Sequence, residues 1–380
     1  MAEPRLSAAC DGRRMTPGAT MGATIFGLGV ATPPGTLNQD RATELAEARC
    51  CSSDRERDLL RRIYRHSGVR RRASVLLDAS DDATALEAFY PLPESAADRG
   101  PSTATRLQRY AETAGPLAAI ACEAAFDECS IGAEKITHIV TVSCTGLISP
   151  GLDAELIERL GLARDIGRIN LGFMGCHGAL NGLRAASAWA NSLPDACVLL
   201  CCVELCTLHF HYGWDTQKVV SNALFADGAA AAIVGPQGHD GLQLLDTASL
   251  MTENSNAAMT WKVGNHGFEM TLAREVPQLI RDSLPAWLDG WLAEHGLGAH
   301  DVAHWAIHPG GPQIIQAVVE ALALPENAAD ESANVLAEHG NMSSPTLLFI
   351  LQRLRQRQAT GPCVALGFGP GLAFEAALFQ

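Results

Sequence analysis

Long apolar runs are missing from this chain: nowhere in its 380 residues do about 18 uninterrupted apolar positions occur, so no membrane span is expected. The stretch Cys363 to Phe379 comes nearest, and its glycines, Pro370 and Glu375 break it. Positive charge is also short. Lysine and arginine total 28 against 42 aspartates and glutamates, a formal net charge of -14, which argues against general nucleic-acid binding because neutralising phosphates needs a basic face. Paired CxxC spacings are absent although the chain holds 12 cysteines, so no metal site is expected and the thiols read as reduced and cytoplasmic. The first twenty residues lack the apolar core of a secretory signal, and residues 1–22 read as a disordered extension.

What is present is a globular composition, with 47% apolar and 18% charged residues and ample length for a substantial core. Arginines concentrate in one place. Between Leu59 and Arg72 lie Arg61, Arg62, Arg65, His66, Arg70, Arg71 and Arg72, the natural landing point for a phosphate-rich ligand unless they form only a solvated helix face.

Apolar strands alternate with helical patterns. Ala23 to Ala31, Thr137 to Val142, Ala196 to Leu205 and Leu224 to Gly235 read as strands, with helices over Thr103 to Ile131, Leu152 to Leu160 and onward from Cys176 to Ala190. This is an α/β layout. The second half repeats the theme with helices at Glu275 to Glu294 and Ser343 to Gln356, and strands at Trp305 to His308 and Pro362 to Leu366. A glycine, a reactive residue and a helix occur once per half, each time followed by a strand, which suggests an internal duplication divided into 23–240 and 241–380.

Three polar residues stand in turns beside these strands. Cys176, in Gly175-Cys176-His177-Gly178, is placed at the first turn of a helix, where the partial positive charge of free N–H groups is expected to lower the thiol pKa. His308 opens His308-Pro309-Gly310-Gly311-Pro312, and Asn341 lies in Gly340-Asn341-Met342-Ser343-Ser344. Singly, each has a plain explanation as core filler, turn residue or helix cap. Their order carries more.

Together with Gly367-Phe368-Gly369-Pro370-Gly371, Leu224 to Gly228 and Ser143 to Gly146, this set resembles the type III polyketide synthases of bacterial type, in the chalcone and stilbene synthase group of the thiolase superfamily. The likeness runs from about Ala23 to Phe379. It implies a five-layered αβαβα thiolase fold of two duplicated halves, a homodimer, and a buried cavity reached through a coenzyme A tunnel. It also implies a malonyl-CoA-dependent acyltransferase of secondary metabolism that needs no cofactor beyond its acyl-CoA and malonyl-CoA substrates. Cys176 would carry the acyl chain, with His308 and Asn341 holding the enolate oxygen left by decarboxylation.

By the same motifs, Phe225 corresponds to a gate phenylalanine between tunnel and cavity. Met270 falls where plant enzymes have a second one, a departure that should loosen the gate. Cys144, Cys206, His209 and Ser343 match cavity positions, and Trp261 falls by ungapped counting, across an irregular segment from Met251 to Asn265, at a position that is glycine in chalcone synthases. Arg62 matches a phosphate-contacting residue of the coenzyme A site, His66 stands where plant members have lysine, and Leu59 replaces another lysine, whose charge Arg61 or Arg65 could supply. Ser149 replaces a methionine that reaches the partner's cavity. His177, directly after the nucleophile, is expected as a surface-facing residue in preference to a second base.

The expected product is an alkylpyrone or alkylresorcinol built on an aliphatic acyl starter. Within the family the runner-up is an all-malonyl tetrahydroxynaphthalene-type product, which Cys144 fits equally well. Outside it stand a ketoacyl synthase III-like enzyme performing one condensation on a carrier protein, and an inactive thiolase-fold binding subunit.

Overall fold

A computed structural model describes residues 22–79, 83–237 and 240–380; the extension expected over residues 1–22 therefore lies, but for Gly22, outside the described residues. Thirteen strands are formed: β1 (Ala23–Ala31), β2 (Thr36–Asn38), β3 (Arg71–Ala73), β4 (His138–Ser143), β5 (Gly167–Gly172), β6 (Val198–Leu205), β7 (Asp227–Pro236), β8 (Leu242–Met251), β9 (Met259–Gly264), β10 (Gly267–Leu272), β11 (His304–Ile307), β12 (Cys363–Gly369) and β13 (Ala373–Phe379). Nine of them make one sheet, in the order β11-β12-β13-β8-β1-β7-β6-β4-β5.

The pairing pattern repeats. In the first half β4 runs parallel to β6, β6 antiparallel to β7, and β7 antiparallel to β1. In the second half β11 runs parallel to β12, β12 antiparallel to β13, and β13 antiparallel to β8. The first half adds β5 beside β4, and the halves join where Ala23 to Ile25 pair with Leu244 to Leu242.

Side-chain alternation along the strands builds five layers. Val198, Leu200 and Cys202 of β6 face the same cluster as Cys363 and Ala365 of β12, and between them lie the helices Gly178–Ser192 and Pro345–Gln356. The opposite face of β6, through Leu199, Cys201 and Val203, packs on the long helix Thr103–Cys129. The opposite face of β12, through Val364, Leu366 and Phe368, packs on the helices Val276–Glu294 and Pro312–Ala321. A strand buried on both faces reads as a continuous apolar run, which is why β6, β7 and β12 were legible as strands; β13 is a further strand that the sequence reading did not assign.

Three local expectations change. The helix after the nucleophile begins at Gly178, leaving Cys176 before its first turn. The segment from Met251 to Asn265 is irregular only up to Ala258: β9 and β10 form a hairpin that sets Trp261 opposite Met270. Gly267 takes φ +104° at the turn, a conformation glycine adopts without cost. The strand β8 carries polar residues at Gln243, Asp246, Thr247 and Ser249, which hid it. Among the described residues no helix is long and apolar enough to cross a membrane, and no three or more metal-binding side chains cluster.

Candidate active site

Cys176 stands in the turn between β5 and the central helix Gly178–Ser192. Gly175 there has φ +80°, and a Cβ on it would lie 2.6 Å from Pro370 Cδ, so the Gly367 to Gly371 segment of the other half closes over the turn. The sulfur is almost enclosed, the residue being 9% exposed. Burial pushes its thiol up to about 11; the buried Glu204 carboxylate adds to that, while hydrogen bonds from Ser343 and Asn341 partly offset it.

This reverses the expected lowering. A helix N-terminus supplies about 0.3–1 kcal/mol, less than one pKa unit, and its effect fades outside the first turn, where Cys176 lies. Burial of a charge shifts a pKa by up to about 3–5 units. Burial outweighs the helix end, and the thiol is pushed above its ordinary range.

Asn341 is delivered from the second half by pairing with the first. Its N–H donates to Leu224 O at 2.9 Å, and its carbonyl accepts from Ala226 N at 2.9 Å, bringing Phe225 alongside. Its side-chain Oδ1 accepts from Ser343 N at 2.8 Å. That bond orients the amide so that Nδ2 remains for the sulfur side. Ser343 itself has φ +56°, one of the few non-glycine residues in the left-handed region, and its Oγ lies 3.5 Å from Cys144 Sγ.

His308 follows β11, and its backbone N–H donates to Leu366 O at 2.8 Å. The residue is 1% exposed, and among the described residues neither ring nitrogen has a hydrogen-bond partner. Buried imidazoles are ordinarily satisfied, so two open nitrogens mark a group kept for something that arrives. Burial holds its pKa down to about 3, and the neighbouring His177 lowers it further.

Two cavities adjoin the turn. The smaller, about 340 Å³, is lined by Cys176 with Cys144, Cys206, Phe225, Trp261, Met270 and Ser343. The larger, about 760 Å³, is lined mainly by apolar side chains that include Leu37, Leu45, Leu77, Leu86 and Phe210, and by His209. Cys206, Phe225, Trp261 and Met270 line both. These four side chains are the partition. Trp261 is fixed by a 2.6 Å hydrogen bond from Nε1 to Cys144 O and by edge-on contact with His209 and Phe268.

His209 is spoken for on both nitrogens. Nε2 contacts Thr145 O at 2.7 Å, Nδ1 accepts from Phe268 N at 2.9 Å, and the ring stacks on Phe268 at 4.3 Å. It is a neutral wall, its pKa held down to about 3 chiefly by burial. Sequence reasoning missed Glu204, fully buried on β6, which accepts from Cys144 N at 2.9 Å, Thr145 Oγ1 at 2.7 Å and Ser344 Oγ at 2.7 Å. The signal was available as a lone acid inside Val198-Leu199-Leu200-Cys201-Cys202-Val203-Glu204-Leu205.

The arginine-rich segment is divided: Arg71 and the buried Arg72 lie in β3, while its first part lies in the helix Asp54–Arg65, capped by Ser53 and Glu56. Leu60 and Tyr64 are its buried face, and Arg62, Arg65 and His66 are exposed outside both cavities. Arg61 is engaged with Glu47 at 2.5 and 2.9 Å, whereas Arg62 and Arg65 make no ion pair among the described residues. His66 Nδ1 lies 2.7 Å from Arg62 O.

A buried cysteine between two like halves of a five-layered αβαβα fold, with asparagine and histidine supplied by the second half, defines a thiolase-fold condensing enzyme. Residues 11–238 match the family model "Chalcone and stilbene synthases, N-terminal domain", and residues 243–380 match the corresponding C-terminal domain. The chain is 33% identical over 371 residues to the alpha-pyrone synthesis polyketide synthase-like Pks18 of Mycobacterium tuberculosis, covering 94% of this chain and 91% of that one. It is 32% identical to the 1,3,6,8-tetrahydroxynaphthalene synthase of Streptomyces peucetius, covering 94% and 93%. The crystal structure of PKS-I from the brown alga Ectocarpus siliculosus superposes with a TM-score of 0.87 at 31% identity, covering 94% and 98%. The chain belongs to the chalcone and stilbene synthase family and is a type III polyketide synthase, a malonyl-CoA-dependent acyltransferase.

Proposed function

We propose that Cys176, His308 and Asn341 are the catalytic residues and that the enzyme extends an aliphatic acyl-CoA starter with malonyl units to an alkylpyrone or alkylresorcinol. The Cys176 thiol gives its proton to His308 as the sulfur attacks the starter thioester, and coenzyme A leaves as the thiol. Malonyl-CoA then loses carbon dioxide, and the enolate oxygen is held by N–H donors from His308 and Asn341. Each such donor is worth about 2.7–4 kcal/mol of barrier. The enolate carbon attacks the Cys176 thioester, the new carbon–carbon bond forms as the carbon–sulfur bond breaks, and repetition lengthens the chain.

The observation that carries the starter assignment is the larger cavity, lined mainly by apolar side chains and sharing Cys206, Phe225, Trp261 and Met270 with the one that holds Cys176. An alkyl tail fits it, and each buried methylene contributes about 0.8 kcal/mol. Cys144 and Ser343 line the chain beside the sulfur. Arg62, Arg65 and His66 receive the coenzyme A phosphates, and the protein works as a homodimer through the edge of β5 and the exposed Leu147.

Mass spectrometry of products from malonyl-CoA and a graded series of acyl-CoA starters, beside Cys176→Ala, tests this. Products whose mass follows the starter and vanish in the variant support it. A single product independent of starter would replace it with the all-malonyl reading, and no product without carrier protein would sink both.

A further inference from the structure

The hairpin of β9 and β10 is a sheet of two strands, and a two-stranded hairpin is marginal on its own. Its turn is tied to the start of the helix Thr103–Cys129: Thr103 N donates to Asn265 O at 2.9 Å, and Gly267 N donates to Thr103 Oγ1 at 2.9 Å. Further along, Trp261 and Met270 stand opposite each other and line both cavities. A half-exposed ion pair from Lys218 to Glu269 at 3.1 Å adds little there.

Two histidines that follow β6 do more. Phe268 of β10 turns both of its backbone groups to them: its N–H donates to His209 Nδ1 at 2.9 Å, and its C=O accepts from His211 Nε2 at 3.0 Å. An acceptor and a donor two residues apart, meeting one residue of β10, are what a neighbouring strand would supply. The protonation pattern is fixed by the same contacts. Phe268 O only accepts, so His211 carries its proton on Nε2; Phe268 N only donates, so His209 Nδ1 is a lone pair and its proton stays on Nε2, facing Thr145 O at 2.7 Å. Both rings are buried, and burial keeps them neutral by pushing their pKa values down to about 3 and about 4.

We propose that His209 and His211 are positioning residues for substrate selection: standing in for a third strand, they clamp the β9–β10 hairpin and so fix where Trp261 and Met270 meet the growing acyl chain. The proposal rests on the reading of the larger cavity as the place of the acyl tail. The His209 ring reinforces the clamp, stacking on Phe268 at 4.3 Å and meeting Trp261 edge-on at 5.8 Å. Phe268 is itself 1% exposed, so losing either histidine contact leaves a buried backbone group unpaired, a larger penalty than the bond's net contribution when made.

The test is amide hydrogen exchange of the full-length protein, read by mass spectrometry over Met259 to Leu272 with the helix Val276–Glu294 as internal reference, together with kcat/KM against starter length. His209→Phe removes the acceptor and His211→Leu the donor. His209→Asn sets an amide oxygen where Nδ1 stands, His211→Gln sets an amide N–H where Nε2 stands, and His209→Gln reaches toward Thr145 O and away from Phe268. Hairpin exchange should be about tenfold faster than the parent's in His209→Phe and His211→Leu, and within about threefold of it in His209→Asn and His211→Gln, with the reference helix unchanged. In the two disabling variants the preference for the best starter over one two carbons longer should shrink several-fold. Parent-like hairpin exchange in both, or a rise shared equally with the reference helix, would overturn the proposal. Where a disabling variant does not fold, His209→Asn against His209→Gln decides, and equal hairpin exchange in those two would overturn it as well. A parent enzyme indifferent to starter length would instead sink the reading of the larger cavity, whatever the exchange shows.

Discussion

Trp261→Ala is the perturbation that most directly probes how the cavity sets chain length. The indole stands between a chamber of about 340 Å³ that holds Cys176 and one of about 760 Å³ behind it, bonded through Nε1 to Cys144 O at 2.6 Å. Removing it joins the two. An acyl chain stopped at Trp261 in the parent could then pass through, and each further methylene buried adds about 0.8 kcal/mol, or about fourfold in kcat/KM. Two methylenes give about fifteenfold, so the preferred starter should lengthen by at least that margin. The stability cost should fall near or below the low end of the 3–5 kcal/mol typical of buried tryptophan, because Trp261 is only half-buried and borders empty space. The assay is kcat/KM against starter length, with product masses, for parent and variant under one set of conditions. An unchanged length optimum in a folded variant would refute the idea that Trp261 divides the cavity.

Four further outcomes are expected. Cys176→Ala should abolish product while leaving the unfolding free energy within about 1 kcal/mol of the parent, since a buried thiol is a small apolar group; activity retained above background would end the assignment. Parent alkylation at Cys176 should still rise with pH above neutrality, because burial pushes the thiol up to about 11, and a flat profile from pH 6 upward would show a thiolate already formed. Arg62→Glu with Arg65→Glu should raise KM for malonyl-CoA several-fold with little change in kcat and a weaker salt dependence; an unchanged KM would move the phosphate site elsewhere. Acid should unfold the protein early. His209 and His308 are held to about 3, and His211 and His339 to about 4, all below the ordinary histidine value. Their contribution to stability is full above about pH 6.5 and is lost as pH falls toward those values, at about 2 kcal/mol per histidine by pH 5. Chemical denaturation at pH 7 and pH 5 checks this.

The residues that sequence made legible are those whose surroundings are local. Apolar strands such as β6 announce themselves because both of their faces are buried. Cys176, His308 and Asn341 were singled out from motif order alone; they stand in a turn, after a strand end and in a pairing with Phe225, places that no spacing encodes. What failed depended on burial by distant chain. His177 looked like a first-turn residue free to face solvent, and only the passage of Gly367 and Gly369 over it makes it interior. The Cys176 thiol was expected to be acidic from its helix, and the enclosure by Ser343, Pro370 and Trp261 outweighs that dipole. The hairpin of β9 and β10 was hidden because Trp261, Lys262 and Val263 show no clear alternation, yet its register is what puts Trp261 beside Met270.

The same enclosure that suppresses ionisation of the resting site explains how it works. A protonated thiol and a neutral imidazole are poor partners for each other, and a lone thiolate here would be expensive. On the proposed catalytic assignment, a thioester carbonyl entering the cavity would supply the missing charge acceptor, so that proton transfer to His308, attack by sulfur and growth of charge on oxygen would occur together instead of in advance. Dryness then turns from a penalty into an advantage. On that assignment, donors from His308 and Asn341 would act on the enolate in a medium where each is worth several times its value in water. A site built this way keeps its nucleophile inert until substrate arrives. Cys176 comes from one half and His308 and Asn341 from the other, on either side of the buried central helices that both halves of the sheet cover.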